Sequence, residues 1–150
     1  MKIYIAADHA GYDLKEKLRA YLSELGYSVE DFGNFIYDEK DDYPDFMFSV
    51  AKKVAENPEH NRGILIGGSG QGEAMIANRF KGVRAAVVYH CDEDIVRLSR
   101  EHNNANILSL GARFLNADEA RHAVKLWLET PFSGEERHKR RIGKIDLISN

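Results

Sequence analysis

Apolar and polar positions along the chain follow two alternating patterns. Short apolar runs of the kind found in buried parallel strands end in polar or glycine-rich segments, and apolar residues then recur at helical spacing. The predicted strands are 3–7, 27–32, 63–66, 83–89 and 106–110. The predicted helices cover 14–25, 44–54, 73–80, 92–102, 116–128 and a last segment from 133 onward. This alternation predicts an α/β fold with a five-stranded parallel sheet, helices on both faces and ligands at the carboxyl ends of the strands.

Composition narrows the class of protein. The chain has 150 residues, 43% hydrophobic and 30% charged, which suits one globular domain over residues 1–150. No apolar stretch is long enough to span a bilayer, and no signal peptide is evident, so we expect a cytoplasmic protein without a membrane partner. A single cysteine, Cys91, excludes an intrachain disulfide. The formal charge of -3 argues against a general nucleic-acid binder.

The segment 67–72, with the sequence GGSGQG, follows the third predicted strand and is the most informative part of the chain. Its glycines allow backbone N–H groups to approach an anion closely, and the helix that follows adds positive potential. The spacing does not fit the dinucleotide fingerprint. Gly67 and Gly72 have Walker A spacing, but Glu73 stands where the lysine should be. The alternative is a tight strand-to-helix turn without a ligand.

Glu73 lies beside this predicted anion-binding loop. It could be a solvated glutamate in the first helical turn, stabilised by the helix dipole. At a strand end it could instead abstract a carbon-bound proton while neighbouring N–H groups stabilise the resulting enediolate. We expect the dipole to keep this carboxylate ionised.

Two pairs of residues elsewhere are candidates for the same crevice. Asp8 and His9 leave the end of the first strand, where Asp8 could instead cap the following helix. His102 and Asn103 lie at the end of the fourth helix, where His102 could simply interact favourably with the helix dipole.

Three arginines are candidate phosphate ligands. Arg137 and Arg141 are four residues apart on the last helix, so both can project from one face and clamp a phosphate. Arg113 follows the fifth strand. The alternative for the basic run at 137–144 is a solvated helix face.

Six motifs in this order resemble those of the ribose-5-phosphate isomerase type B family. They are ADHAG at 7–11, DYP at 42–44, GGSGQGE at 67–73, AN at 77–78, REHNN at 100–104 and RHKRR at 137–141. The resemblance implies a three-layer αβα Rossmann-like sandwich that isomerises a phosphorylated sugar without metal or other cofactor. It also implies a homodimer or tetramer in which His102 and the arginine helix reach the glycine loop of a partner subunit.

The resemblance further implies a role for each candidate residue. Asp8, His9, Asn103, Arg113, Arg137 and Arg141 would bind the substrate, and Gly68, Ser69, Gly70, Gln71 and Gly72 would hold the enediolate. Glu73 would be the base, His102 would open the sugar ring, and Ser69 would polarise the carbonyl or relay a proton. Many family members have a cysteine base where this chain has Gly67, so the chain is similar to the branch that uses a glutamate.

The function implied is interconversion of D-ribose 5-phosphate and D-ribulose 5-phosphate through a cis-enediolate, in the non-oxidative pentose phosphate pathway. The wider family leaves a hexose 6-phosphate, allose or galactose 6-phosphate, as an alternative substrate. A flavodoxin-like module that binds a mononucleotide in the same crevice is the alternative from another class.

Overall fold

A computed structural model describes residues 1–148. The strands are β1 (Lys2–Ala7), β2 (Val29–Asp31), β3 (Asn61–Gly67), β4 (Ala85–Val88) and β5 (Ile107–Gly111). The α-helices are α1 (Tyr12–Glu24), α2 (Tyr43–Glu56), α3 (Gln71–Ala77), α4 (Glu93–Glu101), α5 (Ala117–Glu129) and α6 (Glu136–Ile148), and a short 3-10 turn (His9–Gly11) precedes α1. Across these residues no helix combines the length and apolar character needed to cross a membrane.

The strands form one parallel sheet in the order β2-β1-β3-β5-β4, which confirms the predicted fold class. Ala7 of β1 is in register with Ile66 of β3, and Gly67 of β3 is in register with Gly111 of β5. The loops after these three central strands therefore leave the sheet side by side.

Two apolar layers cover the sheet because successive strand residues point to opposite faces. On one face, Ile3, Ile5 and Ile64 pack with α1, α4 and α5, including the fully buried Trp127. On the other face, Tyr4, Ala6 and Leu65 pack with α2 and α3. The sequence therefore produces the predicted three-layer sandwich.

The apolar spacing at 92–102 predicts Ile95 and Leu98 on the inward face of α4, and this prediction is wrong. Ile95 is 56% exposed and Leu98 is also exposed, whereas Val96, Ser99 and Arg100 are buried. Arg100 can be buried because its guanidinium donates hydrogen bonds to the carbonyl oxygens of Thr130 and Ala105, as well as to a side-chain oxygen.

The sequence also predicts a capping box at the start of each of the last two helices, Asn116 with Glu119 and Ser133 with Glu136, and the structure differs at the second. Asn116 and Glu119 form the expected capping box on α5, but Ser133 and Glu136 do not form one on α6. The Ser133 hydroxyl instead shares a 2.7 Å hydrogen bond with Nδ1 of His138, the buried residue of α6.

Candidate active site

The loops that follow β1, β3 and β5 enclose an open cavity of about 410 Å³. Of the predicted site residues, seven line it: Asp8, His9, Gly68, Ser69, Gly72, Glu73 and Arg113. Ala10, Tyr43 and Phe114 complete the lining. Ligands were expected at this edge of the sheet, and the cavity lies there.

The glycine loop is held in a fixed shape by its neighbours. The Gly67 and Gly68 carbonyl oxygens accept hydrogen bonds from the N–H groups of Ala112 and Arg113. The Ser109 hydroxyl donates to the Gly70 carbonyl oxygen at 2.6 Å, and Gly70 has a φ of +78°, which favours glycine. Within residues 1–148 the N–H groups of Ser69 and Gly70 have no acceptor, so they remain available to an anion.

Glu73 occupies space that only a glycine at position 67 can leave open. A Cβ atom built on Gly67 would lie 1.9 Å from Oε1 of Glu73. The glutamate is 4% exposed and still lines the cavity, at the third position of α3. A carboxylate is therefore fixed at the mouth of the glycine loop.

Burial changes the expected titration of this carboxylate. Loss of solvent raises the pKa of Glu73, with a smaller contribution from the negative charge of Asp8, while a backbone hydrogen bond lowers it. This shift is opposite in direction to the one that the helix dipole favours, and the expectation that Glu73 is ionised stays a prediction. A raised pKa brings the carboxylate closer to the value of an efficient general base.

Asp8 and His9 approach the cavity from the end of β1. The carboxylate of Asp8 accepts a hydrogen bond from the N–H of Gly11 at 3.1 Å, so it caps the 3-10 turn as well as lining the cavity. Burial raises the pKa of Asp8. His9 Nδ1 lies 2.6 Å from Oδ1 of Asp41, a contact that no motif in the sequence indicated.

Tyr43 lines the cavity, although the sequence patterns predicted no role for it. Its ring lies against Gly72, where an added Cβ would be 2.7 Å from the phenol oxygen. Tyr43 belongs to the motif at 42–44, which is one of the six that carry the family resemblance. A glycine at position 72 therefore lets an aromatic wall close one side of the cavity.

Four predicted site residues lie away from this cavity: His102, Asn103, Arg137 and Arg141. His102 follows α4, and the chain then enters β5 from Asn106, so these residues lie near the edge where the strands begin. β5 has five residues, and a strand rises about 3.3 Å per residue. The edge where the strands begin therefore lies roughly 16 Å from the edge where they end, which is the edge that carries the cavity. Gly70 and Gln71 also lie outside the lining, although they belong to the glycine loop.

His102 belongs to a second cluster at that edge. Its ring lies 4.3 Å, centre to centre, from the ring of His138 on α6. The N–H of Ser133 donates to the carbonyl oxygen of Glu101, which ties the start of α6 to the end of α4. The ring-opening candidate and the arginine helix are therefore brought together, but not with Glu73 of the same chain.

Burial of Glu73 predicts a measurable effect on folding. The pKa of Glu73 in the folded chain lies above the ordinary value of 4.5, so the folded state binds more protons between those two values and loses stability as pH rises. We expect Glu73→Gln to gain in free energy of unfolding relative to the wild type as pH rises from about 4 to about 8. Denaturant titrations of both chains across that range measure the difference, and a pH-independent difference contradicts the prediction.

Comparison with known proteins identifies many similar chains. A family model described as Ribose/Galactose Isomerase matches residues 3–145. Ribose-5-phosphate isomerase B of Mycolicibacterium paratuberculosis is 39% identical over 142 residues, which cover 95% of this chain and 87% of that protein. A probable ribose-5-phosphate isomerase B of Mycoplasma genitalium is 45% identical and covers 95% of this chain and 92% of its own.

Solved structures give the same result. A crystal structure of ribose-5-phosphate isomerase B from Mycoplasma genitalium with bound ribulose-5-phosphate has a TM-score of 0.93 and 44% identity, covering 98% of this chain and 95% of that one. Ribose-5-phosphate isomerase B of Clostridium thermocellum has a TM-score of 0.91 and 46% identity, covering 99% and 97%.

Proposed function

The chain belongs to the ribose/galactose isomerase family, and we propose that it interconverts D-ribose 5-phosphate and D-ribulose 5-phosphate. The observation that carries the proposal is the buried carboxylate of Glu73, which fills the gap above Gly67 at the mouth of the glycine loop. The names of the relatives support the same reaction.

The geometry of this half of the site supports the following proton transfer. Glu73 removes the proton from C2 of the open-chain sugar and returns it to C1, so that an aldose becomes a ketose. The negative charge passes to the sugar oxygens, which accept hydrogen bonds from backbone N–H groups of the glycine loop, including that of Ser69, which lines the cavity. The hydroxyl of Ser69, which lines the cavity, relays the proton between O1 and O2.

Cations on the cavity wall hold the substrate. Arg113 lies behind Gly68, with guanidinium atoms 3.5 Å from the position of an added Cβ, and His9 lies in the same cavity. Asp8 accepts a hydrogen bond from a sugar hydroxyl. Tyr43 and Phe114 supply the apolar wall that covers the carbon chain.

Ring opening and the remaining phosphate contacts come from a second copy of the chain. His102, Asn103, Arg137 and Arg141 lie at the opposite edge of the sheet from Glu73, so one copy holds two incomplete half-sites. Exposed apolar side chains beside the cavity, Phe114 and Tyr89, are suited to an interface between copies. Two chains related by a twofold axis therefore complete two sites.

Mixing two inactive variants tests this sharing. Glu73→Gln and His102→Asn each remove one half of every site, and a mixed dimer carries both substitutions in one site and neither in the other. After co-refolding at equal amounts, about a quarter of the wild-type activity is expected to return, since half of the dimers are mixed. No recovery despite mixed dimers, shown by native mass spectrometry, contradicts a shared site.

The substrate is tested by parallel assays of the purified chain. We expect ribose 5-phosphate to be isomerised with a higher kcat/KM than allose 6-phosphate or galactose 6-phosphate, and a chelator to leave the rate unchanged. A higher kcat/KM for a hexose 6-phosphate would contradict the proposed substrate and support the alternative activity, isomerisation of a hexose phosphate. Flavin absorbance together with no isomerase activity would support the mononucleotide-binding alternative.

A further inference from the structure

His9 reaches the cavity with one ring nitrogen already engaged. Nδ1 lies 2.6 Å from Oδ1 of Asp41, and the Asp41 side chain is 5% exposed. A carboxylate at neutral pH accepts hydrogen bonds and does not donate them, so Nδ1 carries the proton. Nε2 is then the ring nitrogen left to contact a ligand.

Asp41 is itself held in place from behind. Its second carboxylate oxygen, Oδ2, accepts a 2.7 Å hydrogen bond from Nδ2 of Asn34. Asn34 is buried, and its N–H donates to the carbonyl oxygen of Ala7 at the end of β1. The loop that carries Asp41 is thereby fixed to the end of β1, two residues before His9.

The anchoring continues to a buried ammonium group. Lys15 of α1 is fully buried, and its Nζ donates to the carbonyl oxygen of Asn34 at 2.5 Å and to the carboxylate of Asp31 at 2.9 Å. Lys15, Asn34, Asp41 and His9 form a continuous series of hydrogen bonds from the interior to the cavity. We call this series the His9 support.

We propose that Asp41 is a positioning residue, which holds His9 as a protonated donor for an anionic oxygen of the substrate's phosphate. This inference rests on the proposed function. The carboxylate fixes the imidazole at Nδ1 and stabilises its positive charge, while Nε2–H faces the ligand together with Arg113 on the same cavity wall.

The charges around His9 favour the protonated ring. The hydrogen bond that His9 donates to Asp41 raises the pKa of His9, and the nearby charges of Asp8 and Asp41 act in the same direction. Burial and Arg113 oppose them by a smaller amount. Because the protonated form binds the anion, affinity is expected to fall as pH rises through this raised pKa.

Asp41→Asn tests the proposal, since it keeps the shape and removes the charge. The pKa of His9, followed by NMR of its ring protons without substrate, is expected to fall. At a pH between the His9 pKa values measured for the two chains, KM for ribose 5-phosphate is expected to rise about tenfold, the scale of one lost charge-assisted hydrogen bond, with little change in kcat. The alkaline rise in KM should begin at a lower pH than in the wild type.

Two further variants separate charge from structure. Asp41→Glu keeps the carboxylate, so the alkaline rise in KM should stay near its wild-type pH. Glu93→Gln is the matched control, because Glu93 forms a 2.8 Å pair with Nε2 of His122 on the exposed surface. It should leave both the pKa of His9 and KM unchanged at every pH.

The outcomes separate this proposal from the proposed function. If Asp41→Asn leaves the pKa of His9 and the pH profile of KM unchanged, or only lowers the melting temperature, Asp41 is not a positioning residue. If the wild type fails to isomerise ribose 5-phosphate, the proposed function fails. The NMR titration, repeated with inorganic phosphate, then still tests the His9 support. The proposal is overturned if phosphate binds both chains equally at a pH between the two measured His9 pKa values.

Discussion

Glu73→Gln is expected to lower kcat by about a thousandfold or more, while KM for ribose 5-phosphate changes little. Glutamine has nearly the same shape but cannot accept the C2 proton. The cradle of N–H groups and the phosphate contacts remain, so binding of the ground state should persist. Initial rates over a range of substrate concentrations measure the two parameters separately.

Glu119→Gln is a matched control for this substitution. Glu119 occupies the third position of α5, as Glu73 does in α3, but it is half-buried outside the cavity and belongs to a capping box in which glutamine is also accepted. Its kcat should stay at the wild-type value. Near-normal turnover by Glu73→Gln would remove Glu73 from the role of base and leave the reaction without one in this cavity.

The fold could be predicted from the sequence because strand and helix periods differ clearly. Runs such as Ile64 to Ile66 are apolar on successive residues, which occurs when a strand is covered on both faces. The face of α4 could not be predicted in the same way. Exposed Ile95 and buried Arg100 reverse the usual preference, and the partners of Arg100 are distant carbonyl groups such as that of Thr130.

The glycine loop and Glu73 could also be found from the sequence, since glycine-rich turns between a strand and a helix have a local signature. Asp41 could not, because its contact with His9 spans 32 residues and depends on how the loop at 33–42 folds back. The positions of His102 and Asn103 away from Glu73 were expected only from the family resemblance, and the observed topology explains them. A helix that returns from a strand end must finish at the opposite edge of the sheet, which is where they lie.

Gly67→Ala is expected to reduce kcat/KM by at least about a hundredfold, although the added group is one methyl and removes no functional group. The new Cβ would lie 1.9 Å from Oε1 and 2.2 Å from Cδ of Glu73, so the carboxylate must leave its position. A displacement of about 1 Å at the reacting group can cost a hundredfold in rate. Overpacking of this kind should also lower the free energy of unfolding by about 1–3 kcal/mol.

A double-mutant cycle with Glu73→Ala identifies the source of that loss. If the collision is with the carboxylate, Gly67→Ala should cost much less stability in the Glu73→Ala background than in the wild type, which gives a measurable coupling energy. Gly143→Ala is the control, because an added Cβ there meets no atom within 4 Å. Equal losses of stability in both backgrounds would mean that the methyl group collides with other atoms and not with the carboxylate of Glu73. In that case the backbone around β3, and not the side chain of Glu73, would require glycine at position 67.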